Sequence, residues 1–241
     1  MRSAARETWI VERWSRGSSP LHSLDARAKL AALAVYLLAI ASTSAWTQAA
    51  VAGYAVILSA ALAASRLPVP ALLARAALIL PFSATFALIT WLSGDATRAL
   101  ALVEKSFLSG LAVLVVIAAT PLTDLARALE AFRVPRSLVL VIQFLYRYLF
   151  VVADQAHRMR MAAACRQGIR RNARPRFHAA AGAVGVLFAR SWERADGIYR
   201  AMAARGFHGT FPALAPTRFR TVDGVFLCGF ALAALAVRLM L

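Results

Sequence analysis

Two arginines sit where a side chain can recognise a partner through its geometry alone. Arg205 stands immediately before Gly206, and Arg166 stands two places before Gly168, each at the end of a basic, small-residue run. A guanidinium is a rigid, permanently charged fork that binds a carboxylate or a pair of backbone carbonyls bidentately. Held at a helix end it is a recognition device, not a catalyst. An anionic lipid surface would also be satisfied by these groups, and that alternative predicts that Lys serves as well as Arg.

The residue types needed for other chemistry are scattered or missing. His22, His157, His178 and His208 include no pair at i, i+4, so no helical metal site is written into the chain. No glycine-rich loop ends in Gly-Lys-Ser/Thr, which excludes ATP binding by that route, so that if the chain transports uphill the energy comes from elsewhere. The 11 acids form no cluster able to hold a metal and a diphosphate, as an integral-membrane lipid or prenyl transferase would require. Cys165 and Cys228 read as small apolar residues. No catalytic, cofactor or metal residue is expected, and the chain reads as a non-enzyme.

Helix patterning positions the two arginines. Ala195, Ile198, Tyr199 and Met202 fall at i, i+3, i+4 and i+7 on one apolar stripe, with Arg190, Arg194, Arg200 and Arg205 on its flanks. Gly206 supplies the left-handed residue at which such a helix stops, and Phe207 can fold back on the last turn. The upstream echo runs Arg158, Arg160, Met161, Ala162, Ala163, Ala164, Cys165, Arg166 to Gly168. Asp154 with Arg158, and Glu193 with the guanidinium groups around it, are expected surface pairs worth about 0.2–0.5 kcal/mol each.

These basic helices belong to a chain that is 61% hydrophobic, with mean hydropathy +0.64. A soluble domain has little use for so much apolar surface. Apolar runs predict spans over 28–45, 49–64, 76–92, 106–120 and 222–241, with a break at Pro68 and Pro70, helix resuming after Pro70, and a loop over 93–105. None of the first four contains an acid or histidine well inside it, which argues against a substrate channel through this chain alone. Asp25 is placed to cap the first span, with Arg27 and Lys29 at the headgroups and Trp46 at the far interface. Residues 123–132 read as an amphipathic helix with Leu125, Ala128, Leu129 and Phe132 on its stripe, and Ser137 to Gly168 can be one long helix whose Tyr146, Arg147 and Tyr148 lie near the membrane boundary. Arg170, Arg171, Arg174 and Arg176 form a basic turn around Pro175.

The net charge of +17 follows from topology. Of the 28 Lys and Arg residues, six lie up to Lys29, two are Arg66 and Arg75, and seventeen fall between Pro121 and Thr221. Only Arg98, Lys105 and Arg238 fall on the other side, so the positive-inside rule puts the amino terminus and the basic region in the cytoplasm. Residues 1–20 show no cleaved signal peptide. A membrane-bound nucleic-acid binder would need strongly salt-dependent affinity, and membrane topology accounts for the charge without nucleic acid. The expected organisation is a cytoplasmic segment 1–27, membrane helices over 28–120, cytoplasmic or interfacial coupling helices over 121–221, and a last membrane helix over 222–241. The expected fold is an all-α polytopic integral membrane protein with about five to six membrane helices and a cytoplasmic helical coupling region.

With these residues in view, the chain resembles the transmembrane T component of energy-coupling factor (ECF) transporters, in the cobalt or nickel branch called CbiQ. The resemblance rests on the segment from Ser19 to Leu30, on Pro121 to Pro135 with Asp124-Leu125 and Arg133-Val134-Pro135, and on Tyr146 to Phe150; it is sharpest in Arg194 to Phe207. It implies two coupling helices, each ending in an Ala-Arg-Gly-like motif whose arginine seats in a groove on one of two ABC-type ATPases. Ala204, Arg205 and Gly206 match the second motif in full. Cys165, Arg166 and Gln167 correspond to the first, with Gly168 one place later, and Arg158, Arg194, Ile198, Tyr199 and Met202 support the helices. The resemblance also implies a separate small membrane subunit that captures the substrate (the S component, CbiM-like in the metal branch), ATP and Mg only in the partner ATPases, and a bacterial or archaeal plasma membrane. A vitamin-transporting relative with a shared T component is the alternative.

Overall fold

The computed structural model describes residues 19–43, 47–167, 173–209 and 219–239. Among them the regular structure is helical throughout, with no strand. The helices are α1 (Ala26–Ser42), α2 (Gln48–Ser65), α3 (Val69–Ala76), α4 (Leu80–Leu92), α5 (Ala96–Ala118), α6 (Leu122–Ala131), α7 (Arg136–Gln167), α8 (Ala173–Ala204) and α9 (Thr221–Leu239). A 3-10 turn, Ala77–Ile79, joins α3 to α4. They form two compact units, one of α1–α6 with α9 and one of α7 with α8.

Among the described residues five stretches are long and apolar enough to cross a bilayer: Gln48–Ser65, Val69–Leu92, Ala96–Ala118, Arg136–Arg166 and Thr221–Leu239. The chain is a multi-pass membrane protein. α1 has 17 residues and is about 26 Å long, a little under the hydrocarbon thickness of roughly 30 Å.

Local chemistry fixes most of the helix ends. The Asp25 side chain accepts from the Arg27 N–H at 2.9 Å, as expected of the cap of α1, and Thr43 closes that helix by donating its hydroxyl to Ala39 O at 2.7 Å. Two expectations need correction in the middle of the chain. Helix does not wait until after Pro70; α3 starts at Val69, because a proline in the first turn removes only an N–H that would have no partner there. The third span is not continuous from residue 76, since the 3-10 turn intervenes and Pro81 sits in the first turn of α4.

The expected loop over 93–105 shrinks to Ser93–Asp95, with Gly94 at φ +93° in a left-handed turn. Ala96 to Ala101 are mostly strong helix formers and extend α5 outward, so Arg98, Glu104 and Lys105 lie on a helix. One acid, Glu104, is therefore inside a membrane-length helix, against expectation. Lys105 Nζ donates to Thr43 O at 2.7 Å, which places it level with the end of α1.

The core of the first unit packs leucines such as Leu58, Leu72, Leu108 and Leu111 among alanines, around two buried tyrosines. Tyr36 and Tyr54 meet edge to face with centroids 5.7 Å apart, and Phe230 of α9 lies 5.9 Å from Tyr36. Each hydroxyl is satisfied, as an apolar surrounding demands: Tyr36 OH donates to Tyr54 O at 3.0 Å, and Tyr54 OH shares a 2.9 Å hydrogen bond with Thr43 Oγ1. Small residues let backbones approach where α2 faces α9, with Gly53 against Val237, and Gly110 of α5 receives the Ile79 side chain.

α6 forms as predicted, but its buried residues are Ala126 and Ala128, while Phe132 is half exposed as the C-cap. Ser137 to Gln167 is one unbroken helix, part of α7. Pro175 falls in the first turn of α8 instead of in a turn before it.

Candidate functional site

α8 ends in two hydrogen bonds that fix Arg205 at its tip. Gly206 N–H donates to Ala203 O at 3.0 Å and Phe207 N–H donates to Met202 O at 3.1 Å. With Gly206 at φ +74°, this is the Schellman arrangement, in which a left-handed glycine lets the chain turn back and satisfy the last carbonyls. Arg205 is thereby the C-cap residue, exposed, with no helical residue beyond it to shield its guanidinium. Of the expected stripe beneath it, Ile198 and Met202 are half-buried, whereas Tyr199 and Ala195 are exposed.

Arg166 lies in the last turn of α7 and is exposed, as is Cys165. Gly168, expected to stop this helix, lies outside the described residues, as do Arg170, Arg171, the segment 1–18, Trp46 and Arg218. The side chains of Gln167, Arg174 and Arg176 also lie outside what is described.

α7 and α8 run antiparallel, since Arg194 donates to Gln155 Oε1 at 3.4 Å near one end while Arg166 and Ala179 line the same groove at the other. That groove has a volume of about 740 Å³. Ala162, Ala163, Gly182 and Ala183 make a floor of small residues, and Arg158, Arg166, Arg190 and Arg194 rim it. The arrangement gathers three of the predicted residues and adds Arg190. It does not bring Arg205 to Arg166: from Ala179, beside Arg166, α8 runs on for about 39 Å at 1.5 Å per residue before reaching Arg205. The molecule thus presents two separate basic points.

The flanking charges are held at the surface. Arg158 pairs with Asp154 at 2.9 Å, as the spacing predicts. On α8 the acid that pairs is Asp196, with Arg200 at 2.6 Å. These pairs are largely exposed, so each contributes roughly 0–1 kcal/mol and serves to orient the guanidinium more than to stabilise the helix. Among the described residues no group of three or more His, Cys, Asp or Glu side chains could hold a metal ion.

Sequence reasoning missed a second polar assembly, at the end of the first unit where α1 and α9 begin and α5 ends. Lys29 was expected at the headgroups, yet it is 3% exposed and donates to Ala119 O at 3.1 Å and to His22 O at 3.4 Å. Ala119 follows the last turn of α5, where carbonyls lack helical partners, so the ammonium satisfies a group that apolar neighbours cannot. Asp223, equally buried, accepts from Asp25 N–H at 2.9 Å and from Arg220 N–H at 2.8 Å. The available signal was an acid in the first turn of an otherwise apolar span.

No curated protein matches the chain. The family model described as cobalt transport protein, CbiQ, matches residues 17–214, a stretch that takes in α1 to α8, both arginine tips and the groove between α7 and α8. With most of its length matched, and with apolar spanning helices alongside a basic helical hairpin, the chain belongs to the CbiQ family of cobalt transport proteins.

Proposed function

We propose that this chain is the T component of an energy-coupling factor importer for cobalt or nickel. In this reading it joins two cytoplasmic ABC-type ATPases to a small substrate-binding membrane subunit. The observation that carries it is Arg205, exposed as the C-cap of a 32-residue helix by the Gly206 turn. A guanidinium so placed can enter a partner's groove and bind a carboxylate or helix-terminal carbonyls with both arms.

The separation between Arg166 and Arg205 supports two attachment points. Arg166, with Cys165 and Gln167, meets one ATPase, and Arg205, with Ala204 and Gly206, meets the other. Arg158, Arg194, Ile198, Tyr199 and Met202 brace the helices between them. ATP and Mg bind in the ATPases, whose closure moves both grooves and so shifts α7 and α8 together as a mechanical link. The exposed apolar stripe Leu138, Val141, Leu145 and Leu149 on α7 suits contact with lipid or with the substrate-binding subunit. Residues 1–27 and the coupling region lie on the cytoplasmic side, in a bacterial or archaeal plasma membrane.

The test is co-purification of tagged chain from its native membrane, comparing Arg205→Glu and Arg205→Lys. Arg205→Glu is expected to lose an ATPase while remaining inserted, with Arg205→Lys intermediate because a point charge cannot replace the fork. An intact complex with full metal uptake in Arg205→Glu would refute the assignment. Equal behaviour of Arg and Lys would favour simple attraction to anionic lipid.

A further inference from the structure

The groove between α7 and α8 holds more positive charge than two recognition tips require. Arg158, Arg166, Arg190 and Arg194 line it together with Gln155, and no acid does. Arg190 and Arg194 stand at i, i+4 on α8, a like-charge pair that destabilises a helix unless an anion sits between them. Arg190 has no acidic partner among the described residues. Arg158 engages Asp154 at 2.9 Å through one nitrogen, which leaves the other N–H groups of its fork for a ligand.

Gln155 adds a neutral donor at the same end. Its Oε1 accepts from Arg194 at 3.4 Å, so its NH2 is left to donate. A ligand can reach all four side chains: Arg158, Arg190 and Arg194 are exposed and Gln155 is half-buried. Guanidinium forks beside an amide NH2 suit the oxygens of a phosphate.

Position along α7 identifies the source of that phosphate. The last apolar run of the helix, Leu149 to Val152, ends three residues before Gln155. That is about 5 Å along the axis, within a headgroup layer roughly 5–8 Å deep on each side of the hydrocarbon. On the membrane side of Gln155, the exposed Val141, Leu145 and Leu149 give acyl chains a surface to lie on. A zwitterionic head would bring an ammonium, and the groove lining offers it no acid.

We propose that the Gln155 end of this groove binds the phosphate of an anionic phospholipid, the chemistry of phosphatidylglycerol. Arg190 and Arg194 hold the phosphate from α8, Arg158 and the Gln155 amide hold it from α7, and the acyl chains run down α7. From Arg194 to Arg205 is about 17 Å along α8. The lipid site is therefore separate from the tip assigned to an ATPase.

Native mass spectrometry tests it, using the full chain stripped of lipid in detergent and titrated separately with dioleoyl phosphatidylglycerol and dioleoyl phosphatidylcholine. One phosphatidylglycerol should be retained with about tenfold preference, since each arginine near an anionic headgroup is worth a factor of about five. Arg190→Gln should cut that preference about fivefold. Arg194→Gln should do the same, and it carries the test if Arg190→Gln fails to fold. Arg200→Gln removes an exposed charge of α8 outside the groove and should leave the preference unchanged. Excess inorganic phosphate should not displace the lipid. Equal retention of the two lipids, no retained lipid, an unchanged preference in folded groove variants, the same fall in Arg200→Gln, or displacement by phosphate would each overturn the proposal. No ATPase is present in this experiment, so its failure leaves the Arg205 assignment standing.

Discussion

Asp223→Asn is the sharpest probe of how the first unit holds together. The carboxylate is 3% exposed and accepts from two backbone N–H groups, those of Asp25 and Arg220. Asp25 caps α1 and Arg220 precedes α9, so one side chain serves the starts of two helices. Each charge-assisted bond is worth about 1.5–3 kcal/mol. Asparagine offers a single acceptor oxygen and turns an amide NH2 toward the other N–H. One bond is lost with a donor left unpaired, and the other falls to a neutral bond of about 1 kcal/mol, for a net cost of about 2–4 kcal/mol. For a chain of this size that corresponds to a fall in melting temperature of about 4–16 °C. Thermal unfolding in detergent, followed by helical circular dichroism, measures it. Arg98→Ala is the control: its pair with Asp95 is 78% and 48% exposed, so it should contribute roughly 0–1 kcal/mol and move the midpoint by no more than about 4 °C. If Asp223→Asn melts with the control, the buried carboxylate is not the tie described above.

Gly53→Ala would set a Cβ 2.9 Å from both methyl groups of Val237, and β-branching leaves that side chain little room to turn, so a cost of about 1–3 kcal/mol is expected. Val237→Ala in the same chain should recover most of it, measured as a double-mutant cycle in the same melting assay. Gly206→Ala, at φ +74°, should raise amide exchange at Arg205 to Phe207 about 5- to 30-fold, from a left-handed penalty of about 1–2 kcal/mol. In inside-out membrane vesicles a charged maleimide should label exposed Cys165 near the end of α7 and spare Cys228 on apolar α9, with both reacting after denaturation; equal labelling before denaturation would put α9 in water.

Much of this architecture is legible from residue order because single residues dominate each decision. Asp25 caps where a short acid precedes an apolar run, and Gly206 ends α8 because only a residue without Cβ turns there cheaply. The unbroken α7 follows from 32 residues without Pro or Gly. Boundaries failed where two tendencies compete. Pro70 looks like a break but stands in a first turn, where its missing N–H costs nothing; Pro81, inside the expected span 76–92, instead stands in the first turn of a new helix after the 3-10 turn; and the polar look of Arg98 to Lys105 hid a helix that reaches past its neighbour.

Lys29 was misplaced for a different reason. Periodicity shows that a lysine flanks an apolar stripe, but not that a carbonyl of a helix some ninety residues away waits beside it. The two arginines divide in the same way. The placement of Arg205 is defined by the local turn that follows it, whereas Arg166 lines a groove whose other wall is α8, which local spacing does not encode.

The bond between Asp25 N–H and Asp223 spans 198 residues, and it joins the beginning of the first helix to the beginning of the last. During synthesis α1 must therefore wait in the bilayer with its leading cap incomplete until nearly the whole chain has been inserted. Nothing made earlier can supply that acceptor. A chain released before α9 would present an uncovered α1 start and an unanswered polar group at the membrane surface, features by which a quality-control protease could tell the unfinished product from the finished one.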